Sequence, residues 1–138
     1  MKPLTITATE NTPAVILNAE EQLFLIEGHS FIEQTHTFYQ PIIDWLQQYT
    51  LVLQHQKNYF EKNRRMTFQF KMDYFNSTSA KYIYGIISLL DEIANSGLDV
   101  RVKWFYYKED VDMKESGEEF AHMTTKLAMK FEERNSDN

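Results

Sequence analysis

The sequence predicts a single α/β domain in which helices pack on a mixed β-sheet. Residues 65–74 alternate strictly between apolar and polar side chains, which is typical of a strand with one buried face. Residues 82–93 then carry apolar side chains at helical spacing, and residues 100–106 alternate again. A strand, a helix and a strand in this order predict a βαβ unit with parallel strands and a right-handed crossover. The buried face of the first strand is expected to comprise Met66, Phe68, Phe70, Met72 and Tyr74.

Short strands are expected before this unit. The candidates are Leu4–Thr9, Ala14–Leu17 and Gln22–Glu27. The segment Asn18-Ala19-Glu20 predicts a hairpin turn between the last two of these strands.

A helix is expected next. Ser30, with Glu33 three residues later, has the form of a capping box, which marks a helix start. Apolar side chains then follow at helical spacing, at Phe31, Phe38, Ile42, Trp45, Leu46 and Tyr49. Because Pro41 removes a backbone hydrogen bond, either the main helix starts near Thr37 or a longer helix kinks at the proline.

The C-terminal part completes the predicted domain. Gly97 is a suitable cap for the helix of the βαβ unit. A last helix is expected from Asp112 to Phe131, with inward-facing side chains at Met113, Phe120, Met123, Leu127 and Phe131. The domain is therefore expected to span residues 1–131, with a disordered, polar tail over residues 132–138.

Composition and charge exclude several functions. The 138 residues include no cysteine, so disulfides, zinc–thiolate sites and cysteine nucleophiles are excluded. The net charge of −6 disfavours nucleic acid as a partner, and the basic run Lys62, Arg64 and Arg65 is too short to offset it. No apolar run reaches the roughly 20 residues of a membrane span. With no signal peptide visible after Met1, we expect a cytoplasmic protein without membrane insertion.

No motif indicates catalysis, a metal or a cofactor. The histidines form no close ligand pair, and the acidic run from Glu109 to Glu119 does not fit a calcium loop. There is no nucleophile–base motif and no Gly-rich phosphate loop. We therefore expect no catalytic residue, although a site assembled across the fold stays open.

A cluster of hydroxyl side chains is the chemically informative feature. Asn76, Ser77, Thr78 and Ser79 leave the carboxyl end of the best strand and open the best helix. One of them is expected to cap the helix, because the first backbone N–H groups lack partners. A cap needs one residue and four stand here, so an exposed kinase acceptor is the alternative interpretation.

The segment Tyr-Phe-Asn-Ser-Thr-Ser-Ala-Lys at 74–81 resembles the Tyr-Phe-Asn-Thr-Ser-Ser-x-Lys signature of the SiaC family of bacterial regulatory phosphoproteins. Other stretches resemble the family in the same order. They are Thr12-Pro13, Gly28-His29-Ser30, Phe38-Tyr39-Gln40-Pro41, Asp44-Trp45-Leu46, the strand at 102–107 with the acidic turn after it, and Gly117-Glu118-Glu119-Phe120. The likeness covers residues 5 to 120.

The resemblance implies a STAS-like fold and a non-enzymatic, phosphorylation-controlled switch. A partner kinase would phosphorylate Ser77, and a PP2C-type phosphatase would remove the phosphate. The unphosphorylated form would bind and activate a diguanylate cyclase in cyclic-di-GMP and biofilm signalling. The family usually has threonine at the position of Ser77 and serine at that of Thr78, so Thr78 and Ser79 are alternative acceptors. The implied partner-binding residues are Asn76, Ser77, Thr78, Ser79 and Lys81.

Two other functions stay open at this point. One is a STAS-type anti-sigma-factor antagonist, which also binds proteins but acts on transcription. The other is a small-ligand sensor that uses a pocket at the strand ends.

Overall fold

The computed structural model describes residues 1–55 and 65–135. The strands in these ranges are β1 (Leu4–Ile6), β2 (Ala14–Asn18), β3 (Leu23–Ser30), β4 (Met66–Phe75), β5 (Val100–Tyr107) and β6 (Ala128–Arg134). The helices are α1 (Thr35–His55), α2 (Ser77–Asn95) and α3 (Val111–His122). Two members of the basic run, Lys62 and Arg64, lie outside the described residues, as do tail residues 136–138.

The six strands form one mixed sheet in sequential order from β1 to β6. β1 pairs with β2 and β2 with β3 in antiparallel fashion, whereas β3, β4, β5 and β6 are parallel. The prediction of an α/β fold with a mixed sheet is confirmed. So is the parallel pairing of β4 and β5 around α2, with Phe68 opposite Val102.

The core lies between one face of the sheet and the helices. Buried side chains of β2 to β5 and of all three helices form one hydrophobic cluster, against which partly buried side chains of β1 and β6 pack. On β4, Phe68 and Phe70 are fully buried, whereas Thr67, Gln69 and Lys71 between and beside them stay partly exposed. Because side chains alternate between the two faces of a strand, the helices cover one face and leave the other open. No helix in the described ranges combines the length and apolarity needed to cross a membrane.

The predicted capping box at Ser30 and Glu33 is wrong. Ser30 is the last residue of β3 and is fully buried, and α1 begins at Thr35. The Ser30 hydroxyl bonds with Tyr39 and Ser79 and so is not a helix cap. Phe31, expected on the apolar helix face, precedes the helix and is exposed. The helix starts two residues before Thr37 and continues through Pro41.

The predicted last helix is too long. α3 ends at His122, and residues 128–134 form β6. The Asp91 carboxylate on α2 accepts hydrogen bonds from the backbone N–H groups of Thr125, Lys126 and Leu127, which fixes the turn between the two elements. Met123 is 58% exposed and so does not face inward. Residues 132–134, expected in the disordered tail, belong to β6.

The prediction that Tyr74 lies on the buried face of β4 is also wrong. The β3–β4 pairing shifts register at Gly28, so that Gly28 lies opposite Met72 and His29 opposite Tyr74. Asp73 is therefore an extra residue on β4, and such a bulge reverses the face on which the following side chains lie. Gly28 has a φ of 119°, which a residue with a side chain rarely adopts. Tyr74 is exposed, and the partly buried Phe75 packs against the core instead.

Candidate functional site

The hydroxyl cluster lies where β4 gives way to α2. β4 ends at Phe75, whose ring packs edge-on against Trp104. The backbone N–H of Asn76 donates to the Ser30 carbonyl oxygen at 3.0 Å, which ties this junction to the end of β3. The junction is therefore held by both neighbouring strands and presents the first turn of α2 at the carboxyl edge of the sheet.

Asn76 is the residue that caps α2. Its Oδ1 accepts the backbone N–H of Ser79 at 2.9 Å, and its carbonyl oxygen accepts the first helical bond, from Ala80 N–H, at 2.9 Å. Its side-chain amide donates to the Ile32 carbonyl oxygen at 3.4 Å. Since Asn76 does the capping, the three hydroxyls that follow are not needed for it.

Ser77 and Thr78 are exposed in the first turn of α2. The Thr78 hydroxyl donates to Asn76 Oδ1 at 3.2 Å. The Ser77 hydroxyl has no hydrogen-bond partner within the described parts of the chain. Ser77 is therefore the hydroxyl of this cluster that solvent reaches and no internal contact uses.

Ser79 is fully buried and belongs to a chain of hydroxyl groups. Ser30 Oγ donates to Ser79 Oγ at 2.7 Å, and Ser79 Oγ donates to the Ser30 carbonyl oxygen at 3.1 Å. Because Ser30 has only one hydroxyl proton, the Tyr39 hydroxyl, 2.6 Å from Ser30 Oγ, must be the donor of that bond. The chain links β3, α1 and α2 inside the core. A kinase or partner cannot reach Ser79 in the folded protein.

Burial of this chain of hydroxyl groups changes the pKa of Tyr39. Desolvation raises the pKa of Tyr39 above its ordinary value, although hydrogen bonding with the Ser30 and Ser79 side chains partly opposes the shift. The Tyr39 ring also stacks on the Tyr82 ring, with centroids 5.6 Å apart. The phenol thus stays protonated and donates from α1 to Ser30 at the end of β3, while its ring stacks on α2.

Two exposed aromatic side chains lie at the same edge of the sheet. Phe31 follows the end of β3 and is 58% exposed, and Tyr74 near the end of β4 is 45% exposed. Their ring centroids are 6.2 Å apart. We call Phe31 and Tyr74 the aromatic pair. Exposed aromatic rings are enriched at protein–protein contacts, so the pair and the hydroxyls together form a candidate docking surface.

The sequence did not single out this aromatic pair. Alternation assigned Tyr74 to the core, and helical spacing assigned Phe31 to α1. Both misassignments come from the two local features already described, the bulge opposite Gly28 and the late start of α1. Of the predicted partner-binding residues, Asn76 is half-buried, and Ser77, Thr78 and Lys81 are exposed.

Two solved structures of SiaC from Pseudomonas aeruginosa are similar to this chain. One, of the apo protein, shares 24% identity and a TM-score of 0.78 over 94% of this chain and 99% of that chain. The second shares 22% identity and a TM-score of 0.80 over 97% of this chain and all of the other. At these identities the likeness establishes the fold.

A third similar structure is a complex. It contains the diguanylate cyclase SiaD and its activator SiaC from Pseudomonas aeruginosa. The matched chain shares 23% identity and a TM-score of 0.77 over 94% of this chain and 99% of that chain.

Sequence comparison agrees with the structural likeness. An uncharacterized protein of Pseudomonas aeruginosa (strain UCBPP-PA14) is 25% identical over 120 residues, which cover 87% of this chain and 88% of that protein. The model of the SiaC family of regulatory phosphoproteins matches residues 6–134. That match spans nearly the whole chain and includes every element of the candidate site. The chain belongs to the SiaC family of regulatory phosphoproteins.

Proposed function

We propose that this chain is a non-enzymatic switch that, when unphosphorylated, binds and activates a diguanylate cyclase. A protein kinase phosphorylates Ser77, and a PP2C-type phosphatase reverses the reaction. The observation that carries the proposal is the Ser77 hydroxyl, which is exposed at the first position of α2 and used by no contact in the described residues. Family membership and the SiaD–SiaC complex of a similar fold support the choice of a cyclase as partner.

The contacts of the three hydroxyls favour Ser77 as the acceptor. Phosphorylating Ser79 would require breaking the buried chain with Ser30. Phosphorylating Thr78 would remove the hydroxyl that donates to the cap residue Asn76. Phosphorylating Ser77 breaks no internal hydrogen bond of the described residues, so it has the lowest structural cost.

A phosphate on Ser77 leaves the fold intact. It adds about −1.5 to −2 charges next to the N-terminal end of α2. That end carries free N–H groups and a partial positive charge, so an anion there is favourable by up to about 1 kcal/mol at an exposed position. The switch therefore acts on what binds at this edge and not on folding.

The same phosphate blocks an interface. We infer that a partner that covers the aromatic pair also approaches Ser77, because Tyr74 lies three residues before Ser77 and Phe31 follows β3, which ends beside β4. Burying a neutral hydroxyl in an interface costs little desolvation free energy, whereas burying a dianion without a matching cation costs much more. We infer that Asn76, Ser77, Thr78 and Lys81 form the partner-facing surface together with the aromatic pair.

The experiment compares Ser77→Ala and Ser77→Asp with Ser88→Ala and Ser88→Asp. Ser88 is an exposed serine farther along the same helix, so its aspartate variant controls for charge on α2. Cyclic-di-GMP production by the cyclase encoded in the same organism is measured with each variant, and thermal melting verifies folding. We expect Ser77→Asp to lower activation at least roughly tenfold, which corresponds to about 1.4 kcal/mol of binding. Equal activation by folded Ser77→Asp and Ser88→Asp proteins contradicts the proposal.

A partner other than a cyclase gives a different result. In that case none of the four variants changes cyclase output, and affinity capture with the Ser77→Ala variant retains an anti-sigma factor. No contact in the described residues favours this second function over the first.

A further inference from the structure

The sheet ends in a long, regular edge strand. β6 spans seven residues, from Ala128 to Arg134, and all seven pair with β5 without a register shift. It is the last strand in the sheet order, so its other side has no strand partner in the described ranges. A strand with a free edge presents unpaired backbone N–H and C=O groups that can pair with another chain.

The opposite edge of the sheet is different. β1 has only three residues and follows Pro3, which has no backbone N–H to donate. Short strands and prolines are devices that protect an edge from pairing. β6 contains neither proline nor glycine and no bulge.

The charges on β6 are self-complementary. Lys130 and Glu132 lie on the open face of the sheet, on either side of Phe131 in the sequence. An antiparallel pairing of two β6 strands about a two-fold axis at Phe131 places Lys130 of each copy opposite Glu132 of the other. Opposite charges directly across a strand pair stabilise it, and like charges destabilise it. A parallel, in-register pairing would oppose each charge to itself, so the pattern selects the two-fold arrangement.

Neighbouring side chains also fit this pairing. Glu132 Oε1 lies 3.5 Å from Lys103 Nζ, so Lys130 of the second copy would bring a second lysine to the same carboxylate. On the other face, the Phe131 ring is half-buried and would meet its own symmetry copy. Ala128 would lie opposite Arg134, a small residue facing a long one.

We propose that the partner of the β6 edge is a second copy of this chain, joined through antiparallel β6 strands into a continuous sheet of two six-stranded halves. The two β4 strands would be about five strand spacings of roughly 4.8 Å apart. Because the pairing is antiparallel, the two Ser77 hydroxyls would lie at opposite ends of the joined sheet. Each switch surface therefore remains open, and dimer formation is independent of the proposed phosphorylation.

A charge exchange tests this pairing with the full chain. Lys130→Glu and Glu132→Lys each replace two attractive pairs across the axis with two repulsive pairs. The double variant restores attraction with the signs reversed. We expect each single variant to raise the dimer dissociation constant at least tenfold in sedimentation equilibrium, and the double variant to return it to within about threefold of the wild type.

The controls separate pairing from folding. Lys108→Glu changes an exposed lysine just beyond the end of β5 and should leave the dissociation constant unchanged. Thermal melting identifies any variant that fails to fold. A wild-type protein that stays monomeric at the highest concentration its solubility allows overturns the proposal. So does a folded double variant that dimerises no better than the single variants.

Discussion

Ser77 and Ser79 begin the same helix two residues apart, yet the first is exposed and the second is fully buried. Residues two positions apart in an α-helix are separated by about 200° around the helix axis, so the side chains of Ser77 and Ser79 lie on opposite faces. Asn76 fixes this rotation by capping α2 through the Ser79 N–H. The start of α2 thus places the Ser77 hydroxyl at the surface and the chemically similar Ser79 hydroxyl in the core.

A kinase should therefore phosphorylate the exposed Ser77 and not the buried Ser79. We expect the organism's kinase to phosphorylate wild-type protein and the Ser88→Ala variant at residue 77, and to leave the Ser77→Ala variant unmodified. Intact mass followed by peptide fragmentation locates the phosphate. Full modification of the Ser77→Ala variant at Thr78 would show that the kinase uses the neighbouring exposed hydroxyl.

Ser79→Ala should destabilise the fold. The change removes the donor to the Ser30 carbonyl oxygen and the acceptor of the Ser30 hydroxyl. Loss of buried hydrogen-bond partners costs about 1–3 kcal/mol in free energy of unfolding. Urea denaturation measures this cost, with Ser88→Ala as the exposed-serine control. Equal stability of the two variants would mean that the buried hydroxyl chain is not structurally important.

Gly117→Ala should be more harmful than Gly85→Ala, although both replace a helical glycine. A Cβ at residue 117 would lie 2.5 Å from ring atoms of Trp104 and 2.8 Å from Phe131 Cε1. At Gly85 no heavy atom outside the local helix lies within 4 Å. We expect a loss of about 1–3 kcal/mol at Gly117 from overpacking. At Gly85 we expect a gain of about 0.5–1 kcal/mol from the higher helix propensity of alanine, measured in the same denaturation series.

Asp91 should make the free energy of unfolding vary with pH in the acidic range. Burial opposes ionisation of this carboxyl, but backbone hydrogen bonds from Lys126, Leu127 and Thr125 and the Thr125 hydroxyl lower its pKa below the ordinary 3.8. A lowered folded-state pKa contributes stability that is present above the unfolded-state pKa and is lost as pH falls through the folded-state value.

The test of this dependence is Asp91→Asn. The wild type should exceed the variant in free energy of unfolding at neutral pH, and the difference should shrink once the pH falls below about 3.8. Urea denaturation at a series of pH values measures the difference. A difference that stays constant from neutral to acidic pH argues against a charged Asp91 as the anchor of the turn before β6.

Phe31→Ala should weaken cyclase binding without affecting folding. The Phe31 side chain is mostly exposed and contacts Tyr74 at the proposed docking surface. Aromatic residues at the centre of an interface often cost more than 1 kcal/mol when truncated, which is about a tenfold loss of affinity. Leu51→Ala is the matched control, because Leu51 is a similarly exposed apolar residue on α1. If both variants bind like the wild type, the aromatic pair lies outside the interface.

The elements with one strong period were predictable from the sequence. β4, α2 and β5 are confirmed because each buries one face, and burial of a face imposes a period of two or of 3.6 residues. The segment after His122 was not predictable in this way. Met123, Leu127 and Phe131 fit a helical spacing. The helix nevertheless ends before them, because backbone N–H groups of the following turn donate to the Asp91 carboxylate on α2 and the chain then enters β6.

The site was only partly predictable. The sequence located the cluster from Asn76 to Ser79 but did not distinguish its members. That distinction depends on Ser30, which lies 49 positions from Ser79 and reaches it through the parallel pairing of β3 with β4. Periodicity within one element carries no information about such a contact. The exposed position of Tyr74 likewise depends on a bulge in the pairing of two strands.

Calorimetric titration with homogeneously Ser77-phosphorylated protein tests whether a phosphate on Ser77 controls binding of the cyclase. The cyclase of the same organism is titrated with the phosphorylated form, with the same sample after phosphatase treatment, and with protein that was never phosphorylated. We expect tight binding by the last two forms and binding weakened at least roughly tenfold by the phosphate. Equal affinity of the phosphorylated and unphosphorylated forms would contradict this expectation.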